Sequence, residues 1–349
     1  MTLGAAVAAI RPPDPARMRE ACARLDLLTK PRGSLGRLEA LAAQVVAIRG
    51  SGRLGRKVIF TLAADHGVTA EGVSAYPKVV TREMVENFCR GGAAVNVLAR
   101  EAGAEVVIVD IGVDGDFPAL PGLIQRKVAS GTRNFTLGPA MAHEAARRAI
   151  ETGLTLIEET RAGGLDLVGT GEMGIGNTTA ASAMTAALTG LPPACVTGRG
   201  TGIDEATWHH KVAVIERALS LNRPDRRDQL DVLAKVGGLE IAGLVGVILG
   251  AAAHGTPVLV DGFISGAAAL VAAALQPLVK EFLIASHCSA EPGHRAVLRE
   301  LSLSPLLDLE LRLGEGTGAA LAMPLVEAAL AIYREMATFK DAGVSEEAR

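Results

Sequence analysis

Leu165-Asp166-Leu167-Val168 runs directly into Gly169-Thr170-Gly171-Glu172-Met173-Gly174-Ile175-Gly176-Asn177-Thr178-Thr179, and this stretch decides the fold. A short apolar run, a glycine-rich turn and a helix opening on Asn and Thr make one β–turn–α unit. Free N–H groups at a helix N-terminus, helped by glycines and threonine hydroxyls, bind phosphate. No Gly-Lys-Ser/Thr follows, so this is not a Walker loop. The glycines at 169, 171, 174 and 176 do not match G-x-G-x-x-G, and Glu172 would repel a pyrophosphate. A tight turn with an asparagine cap is the plainer alternative.

The same alternation extends in both directions. Strands are expected at Val58–Ala63, Val106–Ile111, Leu165–Val168, Val258–Val260 and Phe282–Ala285, each continuously apolar, as strands covered on both faces must be. Helical runs lie at 79–100, 139–162, 177–189, 204–220, 238–253, 263–276 and 293–301. Strands alternating with such helices predict an α/β fold with a parallel sheet. Residues 15–50 read as two helices broken at Lys30-Pro31-Arg32-Gly33, with Ser34 as N-cap, and 317–337 as one long helix. Residues 1–50 plus 317–349 are expected to form a small helical domain, and 51–316 the large α/β domain carrying the site. The tract from Glu240 to Lys280 holds one internal charge, Asp261. Its length suits a membrane, but breaks at His254-Gly255-Thr256-Pro257 and the absence of flanking basic clusters favour helix, buried strand, helix.

Of 349 residues, 21% are charged and 49% apolar, which excludes a disordered chain. Lys and Arg total 35 against 38 Asp and Glu, so no basic excess points to nucleic acid. Cys22, Cys89, Cys195 and Cys288 form no C-x-x-C pair, which suggests a reduced, cytoplasmic chain. Residues 1–10 lack a basic n-region and are not read as a signal peptide.

Ligands of open parallel sheets bind beyond the carboxyl ends of the strands. Six segments put polar or glycine residues there: Asp65-His66-Gly67, Asp110 to Asp114, the 169–179 stretch, Asp261-Gly262, Ser286 to His294, and Gly314-Glu315-Gly316-Thr317-Gly318. Glu315, a carboxylate between two glycines, suits a general base; a first-turn glutamate favoured by the helix dipole is the alternative. Lys211 lies two turns beyond Thr197-Gly198-Arg199-Gly200-Thr201-Gly202, where it reaches an anion or simply covers a surface. His66, His287 and His294 lack metal-ligand spacing and suit orienting hydrogen bonds; no metal is expected. Cys288 beside His287 carries no sign of nucleophile activation.

Taken together, Lys30-Pro31-Arg32-Gly33-Ser34-Leu35-Gly36, Ala64-Asp65-His66-Gly67, Gly171 to Thr179, Gly198 to Gly202, Glu291-Pro292-Gly293-His294 and Leu311 to Gly318 resemble the nicotinate-nucleotide:dimethylbenzimidazole phosphoribosyltransferase family of cobalamin synthesis, over about residues 10 to 337. The resemblance implies a Rossmann-like parallel sheet with a helical domain from both termini, a homodimer, and no metal or cofactor. It implies transfer of phosphoribose from nicotinate mononucleotide to 5,6-dimethylbenzimidazole, with inversion at C1′. Glu315 matches the catalytic glutamate. Glu172, Gly174, Ile175, Gly176, Asn177, Thr178, Gly202, Lys211 and Ser289 fall at phosphate- or nucleotide-binding positions, Glu172 toward the ribose. Tyr76, Glu86, Met173 and Leu313 fall at the acceptor pocket. A relative acting on another acceptor (a purine or phenol) and a non-catalytic nucleotide-binding regulator are the competing readings; the regulator would not need Glu315.

Overall fold

The computed structural model describes residues 1–345. Helices α1 (Leu3–Ala9), α2 (Pro15–Asp26) and α3 (Arg37–Arg49) precede β1 (Lys57–Ala64). Then come α4 (Val80–Cys89), α5 (Ala94–Glu101), β2 (Glu105–Gly112), β3 (Leu123–Gln125), α6 (His143–Arg161), β4 (Leu167–Met173), α7 (Asn177–Thr189) and α8 (Pro193–Val196). The second half holds α9 (Glu205–Asn222), α10 (Gln229–Val236), α11 (Leu239–Ala253), β5 (Val258–Val260), α12 (Phe263–Leu275), β6 (Leu283–Ala285), α13 (Pro292–Leu301), α14 (Thr317–Glu335) and α15 (Phe339–Ala342).

The sheet is parallel throughout, in the order β3-β2-β1-β4-β5-β6. The chain builds outward from β1 in one direction and then, with β4, in the other. This leaves a crevice between the carboxyl ends of β1 and β4, where doubly wound sheets bind ligands. Helices cover both faces, so β1 and β5 are fully buried and read as unbroken apolar runs. On β1, Val58, Phe60 and Leu62 join the core under α6, α11 and α12, while Ile59 and Ala63 join that under α3, α5 and α14. The two ends of the chain meet in this second core: Leu25, Leu41 and Val45 pack in one cluster with Met323, Val326 and Leu330. Residues 346–349 of the expected helical domain lie outside the described residues.

No helix among the described residues is long and apolar enough to cross a membrane. The apolar tract resolves into α11, β5 and α12, with α11 laid against α6 through glycines. A Cβ on Gly246 would overlap the Ile150 carbonyl oxygen, and one on Gly153 the Gly243 carbonyl oxygen. Gly246→Val is therefore expected to destabilise the chain by about 3 kcal/mol through overpacking, read as a lowered denaturant midpoint in a urea titration.

Four local expectations are corrected. The run 79–100 is two helices, because Gly91 turns with φ +75 and the Gly92 N–H returns to the Asn87 carbonyl at 3.1 Å. Ser34 is not a cap; Gly36, with φ +56, starts α3 without a side-chain cap. The short strand β3 follows Pro121-Gly122 and is too brief for a periodicity to register. Strand β4 continues through Gly169–Met173, which the glycine count had assigned to the turn. Gly171 pairs with Thr61 in the ladder, and is glycine because the Glu315 carbonyl lies where its side chain would be.

Candidate active site at the sheet reversal

The turn after β4 is only Gly174-Ile175-Gly176. A Cβ on Gly174 would sit 2.5 Å from the Ala64 carbonyl oxygen and 3.2 Å from the His66 ring, so the glycine lets the ends of β1 and β4 close up. Gly176, at φ +94, is the N-cap of α7. The Ile175 N–H donates to Thr81 Oγ1 at 3.0 Å. Asn177 turns inward, its side-chain amide donating to Glu172. Thr178 Oγ1 accepts from Lys211 Nζ at 2.8 Å.

Lys211 is 1% exposed, which corrects the surface alternative. Burial brings its ammonium down to about 8, against the opposing pull of the Glu291 carboxylate. A lysine held there keeps three donors and a charge aimed at the start of α7. Glu291 also anchors the neighbouring loop by accepting the Gly200 N–H at 2.8 Å, while Arg312 donates to the Gly200 carbonyl at 2.8 Å. Gly202, at φ +97, lines a cavity of about 480 Å³ with Thr197, Arg199, Trp208, Glu291 and Arg312. Ser289 stands behind this wall, its N–H donating to His294 Nδ1 at 2.8 Å. His294 is thus a neutral acceptor, and burial takes its pKa down to about 3.

Over the β1–β4 gap lies the carboxylate set. Glu315 is no first-turn residue. It precedes the N-cap Gly316 of α14 in left-handed backbone, φ +66, unusual for a residue with a Cβ. Thr61 Oγ1 donates to its carbonyl at 2.8 Å and fixes that conformation. Its Oε2 accepts the Val95 N–H at 3.2 Å in the first turn of α5. The flanking glycines serve packing: a Cβ on Gly314 would overlap Glu172 Oε1, and one on Gly316 would lie 2.6 Å from Ile59 Cγ2.

Glu172 is 5% exposed and held well above the ordinary carboxylate range, first by burial and then by the like charges of Glu240 and Asp261. Glu315 is also raised by burial, but the Val95 N–H opposes the shift. Two nearby carboxyls therefore sit in environments that separate them: Glu172, beside like charges, favours the neutral acid despite the Asn177 amide, while Glu315 keeps the Val95 N–H on its anion. Asp261 accepts the N–H groups of Gly316 at 3.3 Å and Ala319 at 3.0 Å, fixing the start of α14, and burial lifts it to about 7. Beneath Gly174, His66 Nε2 meets Glu240 Oε1 at 2.6 Å with both side chains fully buried.

The residues expected around the acceptor come from α4, β4 and two loops. Tyr76 is 55% exposed and lines a cavity of about 620 Å³ with Gly67, Thr69, Ser74 and Lys78; that cavity includes none of Glu86, Met173 or Leu313. Glu86 is half-buried on α4 and paired with Arg90 at 2.9 Å and Arg82 at 3.6 Å. Met173 closes β4 opposite Ala63, and Leu313 is largely exposed one step before Gly314. Cys288 is buried and unpaired. No group of three or more His, Cys, Asp or Glu side chains that could hold a metal occurs among the described residues.

Sequence reasoning left Glu240, Thr61, Thr81 and Arg312 unassigned. Glu240 had a signal: a charge at the head of a long apolar tract is seldom buried without a partner. Thr61 and Thr81 had none, because a threonine in an apolar run reads as strand or helix filler.

A doubly wound sheet, a glycine turn opening a helix, and a buried lysine beside that helix start make an arrangement of the kind by which α/β enzymes hold phosphorylated ligands at a sheet reversal. The chain belongs to the phosphoribosyltransferase family, whose model matches residues 10–344. It is 59% identical over 343 residues to the nicotinate-nucleotide–dimethylbenzimidazole phosphoribosyltransferase of Geobacter sulfurreducens, covering 98% of this chain and 97% of that one. The enzyme of the same name from Chloroflexus aggregans is 60% identical over 325 residues, 93% of this chain and 92% of that one. Among solved structures, CobT from Thermus thermophilus superposes with a TM-score of 0.92 at 49% identity, covering 95% of this chain and all of the other.

Proposed function

We propose that this chain transfers phosphoribose from nicotinate mononucleotide to 5,6-dimethylbenzimidazole, releasing nicotinate and forming α-ribazole 5′-phosphate. The observation that carries the reading is the pairing, at one sheet reversal, of a buried cation beside the α7 N-terminus with a carboxylate held on a single donor at Glu315. The first suits a phosphate; the second suits removal of a proton from an incoming ring.

Benzimidazole has one N–H and one lone-pair nitrogen. As the lone pair attacks ribose C1′, positive charge builds on the ring, and Glu315 accepts the N–H proton. That raises nucleophilicity and cancels the developing charge. Nicotinate departs from a pyridinium, so its electron pair returns to a ring nitrogen that needs no acid. Attack opposite the leaving group converts the β-anomer to the α-anomer. In this reading Lys211, Thr178 and the Gly176 N–H hold the phosphate, while the Asn177 N–H closes the turn on the Gly174 carbonyl at 3.0 Å. Glu172, kept neutral and fixed by Asn177, faces the ribose. Ser289 and Gly202 shape the nucleotide wall, and Tyr76, Met173 and Leu313 the acceptor side. Glu86 is committed to its arginines and acts there through them. The reading includes a cytoplasmic homodimer, supported for the compartment by four unpaired cysteines; light scattering at the monomer mass would refute the dimer.

Mass spectrometry of products from nicotinate mononucleotide offered with 5,6-dimethylbenzimidazole, adenine and a phenol tests the function. A ribotide of the benzimidazole should dominate; its absence would refute the assignment.

The pH profile follows from the two charges. Glu315 must be ionised, and its pKa is raised, so kcat/KM should fall as pH drops through a value above the ordinary glutamate range. Lys211 must be protonated, so kcat/KM for the nucleotide should also fall above about 8. An alkaline limb unchanged in Lys211→Met would show that another group is responsible.

A further inference from the structure

The rim of the 620 Å³ cavity, Ser74-Ala75-Tyr76, is held from outside by one hydroxyl. Thr201 Oγ1 accepts the Ala75 N–H at 3.0 Å and lies 3.2 Å from Ser74 Oγ. Ser74 Oγ accepts the Tyr76 N–H at 3.2 Å, so three consecutive rim residues take their position from Thr201. On its far side the rim is tethered by the Lys78–Asp114 ion pair, and the Asp114 N–H donates to Asp65 Oδ2 at 2.8 Å.

The residue before Thr201 is the convergence point of the nucleotide side. The Gly200 N–H goes to Glu291 and its carbonyl to Arg312. A Cβ there would meet Thr178 Oγ1 at 2.8 Å and Lys211 Nζ at 3.2 Å. An anion seated between Lys211 and Thr178 would lie against Gly200, which both side chains approach, and so bear on the backbone directly attached to Thr201. Arg312 lies three residues before Glu315, which brings the base-bearing loop onto the same anchor.

We propose that Thr201 is a positioning residue that ties the acceptor-side rim to the phosphate-side loop, so that an anion seated between Lys211 and Thr178 sets the rim and the acceptor binds best after the nucleotide. The order of binding rests on the functional reading above; the mechanical tie does not.

Thr201→Val keeps the shape of the side chain and removes the hydroxyl, whereas Thr201→Ser keeps the hydroxyl. In Thr201→Val the KM for 5,6-dimethylbenzimidazole should rise about tenfold, the loss of one or two hydrogen bonds, with the nucleotide KM changed less than about twofold. Thr201→Ser should restore the wild-type value. Hydrogen exchange of the peptide spanning 72–80 gives a readout that needs no turnover. Inorganic phosphate, or nicotinate mononucleotide, should slow exchange there in the wild type and in Thr201→Ser, but not in Thr201→Val. Equal shifts of both KM values, or ligand-dependent protection that persists in Thr201→Val, would overturn the proposal. A wild-type chain that makes no ribotide yet shows Thr201-dependent protection by phosphate would refute the functional reading and leave the tie standing.

Discussion

Glu315→Gln should lower kcat by about 10²- to 10⁴-fold, the usual contribution of a positioned general base, while the KM for nicotinate mononucleotide stays near wild type. The substitution is conservative in every respect but one. A glutamine oxygen still accepts the Val95 N–H, the backbone stays in left-handed geometry under Thr61, and Gly314 still admits Glu172. The ability to take a proton is lost together with the negative charge that offsets the developing ring charge, so a drop in turnover with intact nucleotide binding isolates the role of the carboxylate. Steady-state kinetics with both substrates varied checks it. Turnover close to wild type would mean that Glu315 is not the base, and Glu172→Gln would be the next variant to measure.

Lys211→Met should reduce kcat/KM for the nucleotide by about 100-fold, the scale for removing one partner of a buried, charge-assisted phosphate contact. Methionine fills the same unbranched volume in a site that is 1% exposed, so the start of α7 should keep its packing. Thr178 Oγ1 loses its donor. Glu291 loses the opposing charge and keeps the Gly200 N–H. Calorimetric titration with nicotinate mononucleotide, alongside the kinetics, separates lost affinity from lost folding. Unchanged affinity would place the phosphate elsewhere.

These two effects divide the site into halves that differ in how far they could be read in advance. Glu315 stood out because an acidic residue between two glycines has few structural reasons to exist. Those two glycines have packing reasons of their own. They admit Glu172 and Ile59 and allow positive φ on either side of the glutamate. Lys211 could not be placed from its helix alone, since a lysine in line with Val214, Ile215 and Ala218 reads equally as a stem lying along the apolar face with its charge in water. Its burial follows from α7 and the Gly200 loop closing over it, through residues distant from it in the chain. The acceptor side was the least legible, because Tyr76 and Leu313 are held by loops whose conformation depends on partners such as Thr201 and Gly314.

By itself the sequence determined the layering: apolar runs of strand length separated by helix-length segments leave no stable arrangement but a covered parallel sheet, since such strands have no polar face to show to water. It also determined that chemistry would gather at one edge, because the segments that follow the strands carry Asp, Glu and His together with glycine. Only the tertiary structure decided which of those groups face one another. His66 with Glu240, Asp261 with the α14 start, and Lys211 with Thr178 are separated by 174, 55 to 58 and 33 positions respectively. Pairings at that range are set by strand order and by how closely glycines let elements approach. Those are properties of the assembled packing, and no local window of sequence contains them.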